Sequence, residues 1–222
     1  MQKTLFALSI AVVMTLGPGV SIAQEARVGD KVAGSAKADS CAGCHSIPGY
    51  QASFPQVYKV PMIAGQTEKY IAASLIAYRK GERKFPTMRA IAASLSDQDI
   101  ADLAAFYSAA AGPAAPPPAK PAQEPSPAVA KLLAQSNCAS CHGANFSTPI
   151  DPSYPKIAGQ YADYLTAALQ AYKIDGNPRI GRSNPIMMGM ARPYSPADIR
   201  AMAAYLASLP GELHTVPQSR FR

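Results

Sequence analysis

Two copies of one five-residue word, Cys41-Ala42-Gly43-Cys44-His45 and Cys138-Ala139-Ser140-Cys141-His142, constrain this 222-residue chain more than any other feature. In each, two thiols stand three positions apart and an imidazole follows the second thiol directly. This is the spacing that attaches c-type haem: the thiols add across the porphyrin vinyl groups as thioethers, and the histidine sits under the iron as its proximal ligand. One turn of helix delivers all three groups to one ring. All four cysteines and two of the three histidines belong to these words. A redox dithiol has no use for the adjacent histidine. Zinc would require both pairs to converge across more than ninety residues, with histidines off the usual finger spacing. The sequence therefore implies two covalently bound haem c groups, one on Cys41, Cys44 and His45 and the other on Cys138, Cys141 and His142.

The N-terminus reads as an address. Lys3 gives a positive start, Leu5 to Leu16 is a short apolar run broken by Gly17-Pro18-Gly19, and Ser21-Ile22-Ala23 offers the small residues of a cleavage site. The apolar run is short of the roughly 18 to 20 residues that span a bilayer. Residues 1–23 are thus expected to be a signal peptide, with the mature protein in the periplasm, where c-type haem is attached, and at most peripherally associated with a membrane.

The remaining 199 residues divide in two. Residues 111–127 hold seven prolines and read as a semi-rigid spacer, with a reach of about 45 Å at roughly 3.1 Å per residue. The flanking segments, 24–110 and 128–222, repeat each other. Pro61-Met62-Ile63-Ala64-Gly65-Gln66 matches Pro155-Lys156-Ile157-Ala158-Gly159-Gln160, and Ser96-Asp97-Gln98-Asp99-Ile100 matches Ser195-Pro196-Ala197-Asp198-Ile199. Ser96 and Ser195 have the look of N-caps with an aspartate three positions on. Apolar residues recur at helical spacing, Ile100-Leu103-Tyr107 and Ile199-Met202-Leu206, and no convincing alternating strand is visible. The expectation is an all-α chain. Halves of about 85 to 95 residues are marginal on their own cores, and each would pack its short helices around one haem.

The sixth position of each iron separates a carrier from an enzyme. Outside the leader, the candidates are Met62, Met88, Met187, Met188, Met190, Met202 and His214. The repeat selects Met88, eight residues before Ser96, and Met187, eight before Ser195, each in an expected loop; Met188 and Met190 are local rivals to Met187. Met202 falls on an apolar helix stripe and reads as core, and His214 reads as exposed in a polar tail.

Together, the haem words, the Pro-x-Ile-Ala-Gly-Gln segments, the Met-to-Ser spacing and the Ser-x-x-Asp-Ile helices resemble the dihaem cytochrome c4 family over nearly all of the mature chain. The resemblance implies two tandem class I cytochrome c domains and a periplasmic carrier of electrons towards a terminal oxidase of the respiratory chain. It further implies His45 and Met88 on the first iron and His142 and Met187 on the second, with the carbonyls of Pro61 and Pro155 accepting the histidine N–H. The spacer, longer than expected for the family, permits the domains to pack but does not enforce it.

No general base, nucleophile or phosphate-binding loop stands out, so the chain is not expected to be an enzyme. A second reading is an electron-accepting subunit of a periplasmic dehydrogenase, similar in plan to the haem subunit of flavocytochrome sulfide dehydrogenases. A third, a dihaem enzyme such as a peroxidase or thiosulfate-oxidising cytochrome, needs an open or unusually ligated iron, for which the chain offers no spare cysteine. The mature chain carries 20 basic and 14 acidic side chains, a net +6 that four haem propionates would largely offset. Lys80, Arg83 and Lys84, and likewise Arg179, Arg182 and Arg192, cluster near the methionines and could steer an acidic redox partner. No basic stripe interleaved with aromatics suggests nucleic acid.

Overall fold

The computed structural model describes residues 27–110 and 116–217. The expected signal peptide lies outside the described residues. The first half contains α1 (Lys31–Lys37), α2 (Asp39–His45), β1 (Gln51–Ala52), β2 (Tyr58–Lys59), α3 (Glu68–Arg79), α4 (Pro86–Ala93) and α5 (Asp97–Ala109). The second contains α6 (Pro127–Ser136), α7 (Ala139–His142), α8 (Ala162–Ala171), α9 (Pro185–Ala191) and α10 (Pro196–Ser208). The two-residue strands β1 and β2 pair antiparallel, Gln51 opposite Lys59 and Ala52 opposite Tyr58. This small hairpin is the one departure from the all-helical expectation, and two residues a side were too few to show alternation.

Local chemistry sets the helix ends. Ser96 and Ser195 both form capping boxes: each hydroxyl accepts from the backbone N–H three residues on, and the carboxylates of Asp99 and Asp198 reach back to the cap N–H. Pro86 and Pro185 occupy the first turns of α4 and α9, where proline's missing donor costs nothing. Met88 and Met187 therefore sit on short helices rather than in the loops expected for them. Proline breaks a helix from within but at its first turn acts as a starter.

Each half closes around its last helix. In the first, Ile71 of α3 and Leu103, Ala104 and Tyr107 of α5 pack with Ala38. In the second, Val129 of α6, Leu165 of α8 and Ala203 and Leu206 of α10 pack with Phe146 and Ala158. The proline-rich segment is not a free spacer over its described part. Asn145 Nδ2 donates to Pro118 O at 2.9 Å and Tyr205 Oη to Gln123 O at 2.9 Å, which lay residues 118–123 on the second half.

The halves are docked, and the contacts obey an approximate two-fold. Gln66 Nε2 donates to Lys156 O (3.0 Å) and its Oε1 accepts from Lys156 N (2.9 Å); Gln160 Nε2 donates to Met62 O (2.8 Å) and its Oε1 accepts from Met62 N (3.1 Å). Since Met62 and Lys156 are equivalent in the repeat, as are the two glutamines, each half offers the same two groups to the other, the pattern of an isologous interface. Both glutamines are buried, so these paired bonds satisfy groups that water cannot reach. The C-terminal tail adds a contact without a counterpart. Leu213 is buried, and His214 N donates to Ala64 O at 3.2 Å while its Nε2 lies 3.1 Å from Ala110 O. His214 is thus half-buried against the first half, not exposed as its polar neighbours had suggested.

Candidate functional site

A cavity of about 900 Å³ runs from one half into the other. Cys41, Cys44, His45 and Met88 line it in the first half, Cys138, Cys141, His142 and Met187 in the second. The geometry of the words explains their placement. α2 carries the first and the short turn of α7 the second. Directly after it, Gly143 takes φ 83, and a Cβ there would come within 2.0 Å of Thr148 O, so the chain can leave the site only through glycine.

Each imidazole is held by one backbone acceptor. His45 Nδ1 lies 2.9 Å from Pro61 O and His142 Nδ1 lies 2.9 Å from Pro155 O. A carbonyl can only accept, so Nδ1 carries the proton and the Nε2 lone pair is left free. Burial pushes both imidazoles below their ordinary range, partly opposed by the carbonyl, which keeps them neutral. The thiols are not joined as disulfides. Burial raises those of Cys41 and Cys138, the reverse of the lowered value that a redox dithiol needs.

Met88 and Met187 also line the cavity, half-buried at equivalent positions of α4 and α9. Met190 also lines the wall but is 45% exposed, and Met188 does not line it; Met62, half-buried, and Met202, buried at 4% beside Tyr194 and Ile199, line it as well, but at places where the repeat has no second methionine. Two cysteines, a neutral histidine with a free Nε2 and a methionine on the wall of one apolar space, present twice, suit two thioether-linked haems.

Two cations expected on the surface line the same cavity. Arg83 and Arg182 are half-buried between the halves, whereas Lys80, Arg179 and Arg192 are exposed. Their inward turn, and the role of Gln66 and Gln160 in joining the halves, escaped sequence reasoning. The repeat of the arginines five residues before each methionine was the available signal.

Residues 31–109 and 127–210 match the Cytochrome c family model. The chain is therefore built of two cytochrome c domains, each carrying one covalently bound haem c. Cytochrome c4 of Azotobacter vinelandii is 31% identical over 193 residues, covering 82% of this chain and 90% of that protein. The crystal structure of reduced recombinant cytochrome c4 from Pseudomonas stutzeri is matched over 84% of this chain and 100% of that one, at 27% identity and a TM-score of 0.58. A thiosulfate dehydrogenase electron acceptor of Stutzerimonas stutzeri is 32% identical over 178 residues, covering 77% of this chain and 79% of that protein. The chain belongs to the dihaem cytochrome c4 family and is a c-type cytochrome that carries electrons.

Proposed function

We propose that this is a periplasmic electron carrier without an enzymatic reaction of its own, in which His45 and Met88 ligate the first iron and His142 and Met187 the second. Residues 1–23 would direct export, 24–110 and 128–222 would form the two domains, and 111–127 would join them. The observation that carries the reading is one continuous cavity with a neutral histidine and a methionine in each half. Each haem supplies a one-electron iron couple, and methionine sulfur raises its potential. The chain's own contribution is positional. Pro61 and Pro155 hold the Nδ1 protons and fix the ring planes, and the apolar walls around Ile71, Leu75, Leu165 and Leu169 keep water off.

The natural electron acceptor in this reading is a terminal oxidase of the respiratory chain. Docking would use the exposed cations Lys80, Arg179 and Arg192, while Arg83, Lys84 and Arg182 lie at the domain junction. Among the described residues no helix is long and apolar enough to cross a membrane. A second reading has a specific support: the similarity to a thiosulfate dehydrogenase electron acceptor favours reduction by a periplasmic dehydrogenase. Rates of reduction by such a dehydrogenase and of oxidation by an oxidase, measured by stopped flow on one sample, discriminate the two.

Ligation is tested with Met88→Ala and Met187→Ala. Each should lose the far-red sulfur-to-iron band of one haem, drop that haem's potential sharply and admit carbon monoxide there. An unchanged spectrum for Met187→Ala would transfer the role to Met190.

A further inference from the structure

Arg83 and Arg182 stand five residues before Met88 and Met187, at equivalent places in the repeat. The approximate two-fold brings them face to face. Lys84 N donates to Gly181 O at 3.0 Å and Ser183 N donates to Glu82 O at 2.9 Å, and between these bonds Arg83 lies opposite Arg182 as an antiparallel pair. Bonds that flank a pair rather than join it mark the narrow kind of antiparallel pairing, where side chains leave the same face at closest approach. Like charges directly opposite each other in this way are destabilising.

Among the described residues no carboxylate neutralises them: neither guanidinium forms an ion pair with one, and Glu82, which lines the same cavity, forms none. Each is caged by its own half's tyrosines. The Arg83 guanidinium lies 5.3 and 5.5 Å from the Tyr70 and Tyr78 ring centres and that of Arg182 lies 5.6 and 5.5 Å from Tyr164 and Tyr172. One N–H of each reaches a phenol, Arg83 Nη2 to Tyr70 Oη and Arg182 Nη2 to Tyr164 Oη, both at 3.0 Å. An arginine carries five N–H donors, so both have donors to spare at the cavity wall. The local field is strongly positive: burial pushes the Tyr70 phenol up, yet the two arginines more than reverse it, to about 8.

Two half-buried cations with spare, forked donors make a site for carboxylates. With two haems in this cavity, their propionates would be the carboxylates at hand. We propose that Arg83 and Arg182 form one shared anion site on the approximate two-fold, taking a propionate from each haem, so that either arginine sets the potential of both irons. Positive charge beside a haem disfavours the ferric state. A site held in common makes the two oxidations interdependent through the protein, and it ties the docking of the halves to haem insertion, since without the propionates the arginines repel.

The proposal rests on both haems occupying this cavity, and the experiment keeps that premise separate. Spectroelectrochemical titration of the full-length haem-loaded protein is compared with Arg83→Gln and Arg182→Gln from pH 5 to pH 8. In each single variant both midpoints should fall, by roughly tenfold in the ferric-to-ferrous equilibrium or about 59 mV for a one-electron couple. Both should also gain a pH dependence as the released propionates titrate, while the far-red sulfur bands persist. A shift confined to the haem of the substituted half, or no shift at all, overturns the shared site. Absence of the far-red bands from the unaltered protein would sink the methionine ligation instead. If the glutamine variants fail to load haem, Arg83→Lys and Arg182→Lys carry the test. An ammonium keeps the charge but loses the fork, so a smaller shift is expected, again in both haems, and a shift in one haem alone or in neither overturns the proposal.

Discussion

The two halves present the same groups to their haems and fasten their first helices by opposite means. In the first half, α1 lies on α5 through a buried acid. Asp102, 2% exposed, accepts from Lys37 Nζ at 2.6 Å, from Asp30 N at 2.9 Å and from Gln98 Nε2 at 2.9 Å. Gly34 allows the close approach, for a Cβ there would lie 2.0 Å from Asp102 O. In the second half the equivalent position is Ala201, and α6 rests on α10 through Val129 and Leu133 against Ala203 and Leu206. The side of each helix that meets the cofactor is fixed by chemistry that has one solution. The far side need only satisfy what it buries, and a carboxylate with three donors does so as well as a patch of leucines.

The comparison can be broken first where packing is apolar. Leu206→Ala removes a side chain 3% exposed and should cost about 3 kcal/mol, loosening α10 with little effect on α5; hydrogen exchange of the two helices reads this directly. Equal loss of protection in both would mean that the halves unfold as one unit.

Next in size, Asp102→Asn should cost the first half about 2 kcal/mol at neutral pH, since it strips a charged acceptor from three donors. Its sign with pH is distinctive. Hydrogen bonding from Lys37, then from Asp30 N and Gln98, holds the Asp102 carboxyl down at about 2, below the roughly 3.9 of an unfolded aspartate. The stabilisation is complete above about pH 4 and disappears as pH falls towards 2. Denaturant midpoints of the first half should fall over that window in the unaltered protein and stay flatter in Asp102→Asn, with the second half showing no such contribution at position 201.

The smallest effect sharpens the symmetry. Gln66→Ala and Gln160→Ala each remove a two-bond ring to the opposite backbone and should weaken docking by about 1 kcal/mol, equally in both variants. Small-angle scattering and proteolysis of residues 111–126 report the opening. Unequal effects would show that the His214 tail, which only one half supplies, carries more of the contact than the paired glutamines.

What could be read in the sequence was local. Five consecutive residues define each haem word and four define each capping box. What escaped depends on residues 90 to 150 positions apart. Gln66 and Gln160 were visible as a repeated motif, but the same letters serve for internal packing and for meeting another copy. Arg83 and Arg182 belonged to runs of basic residues that read as solvated surface, and only the two-fold turns them inward. Leu213 buries the tail that brings His214 to Ala64, a docking that no periodicity announces.

The near-symmetric junction has a kinetic side. Two surfaces that recognise each other through equivalent groups would, as separate chains, meet only as often as dilution allows. Joined by a short span of chain, they face each other at an effective concentration on the order of millimolar. A free affinity as weak as about 0.1 mM would then leave the halves together roughly ten times as often as apart. The junction is released from any need for strength, and can open to accept its cofactors and close again without separating the partners.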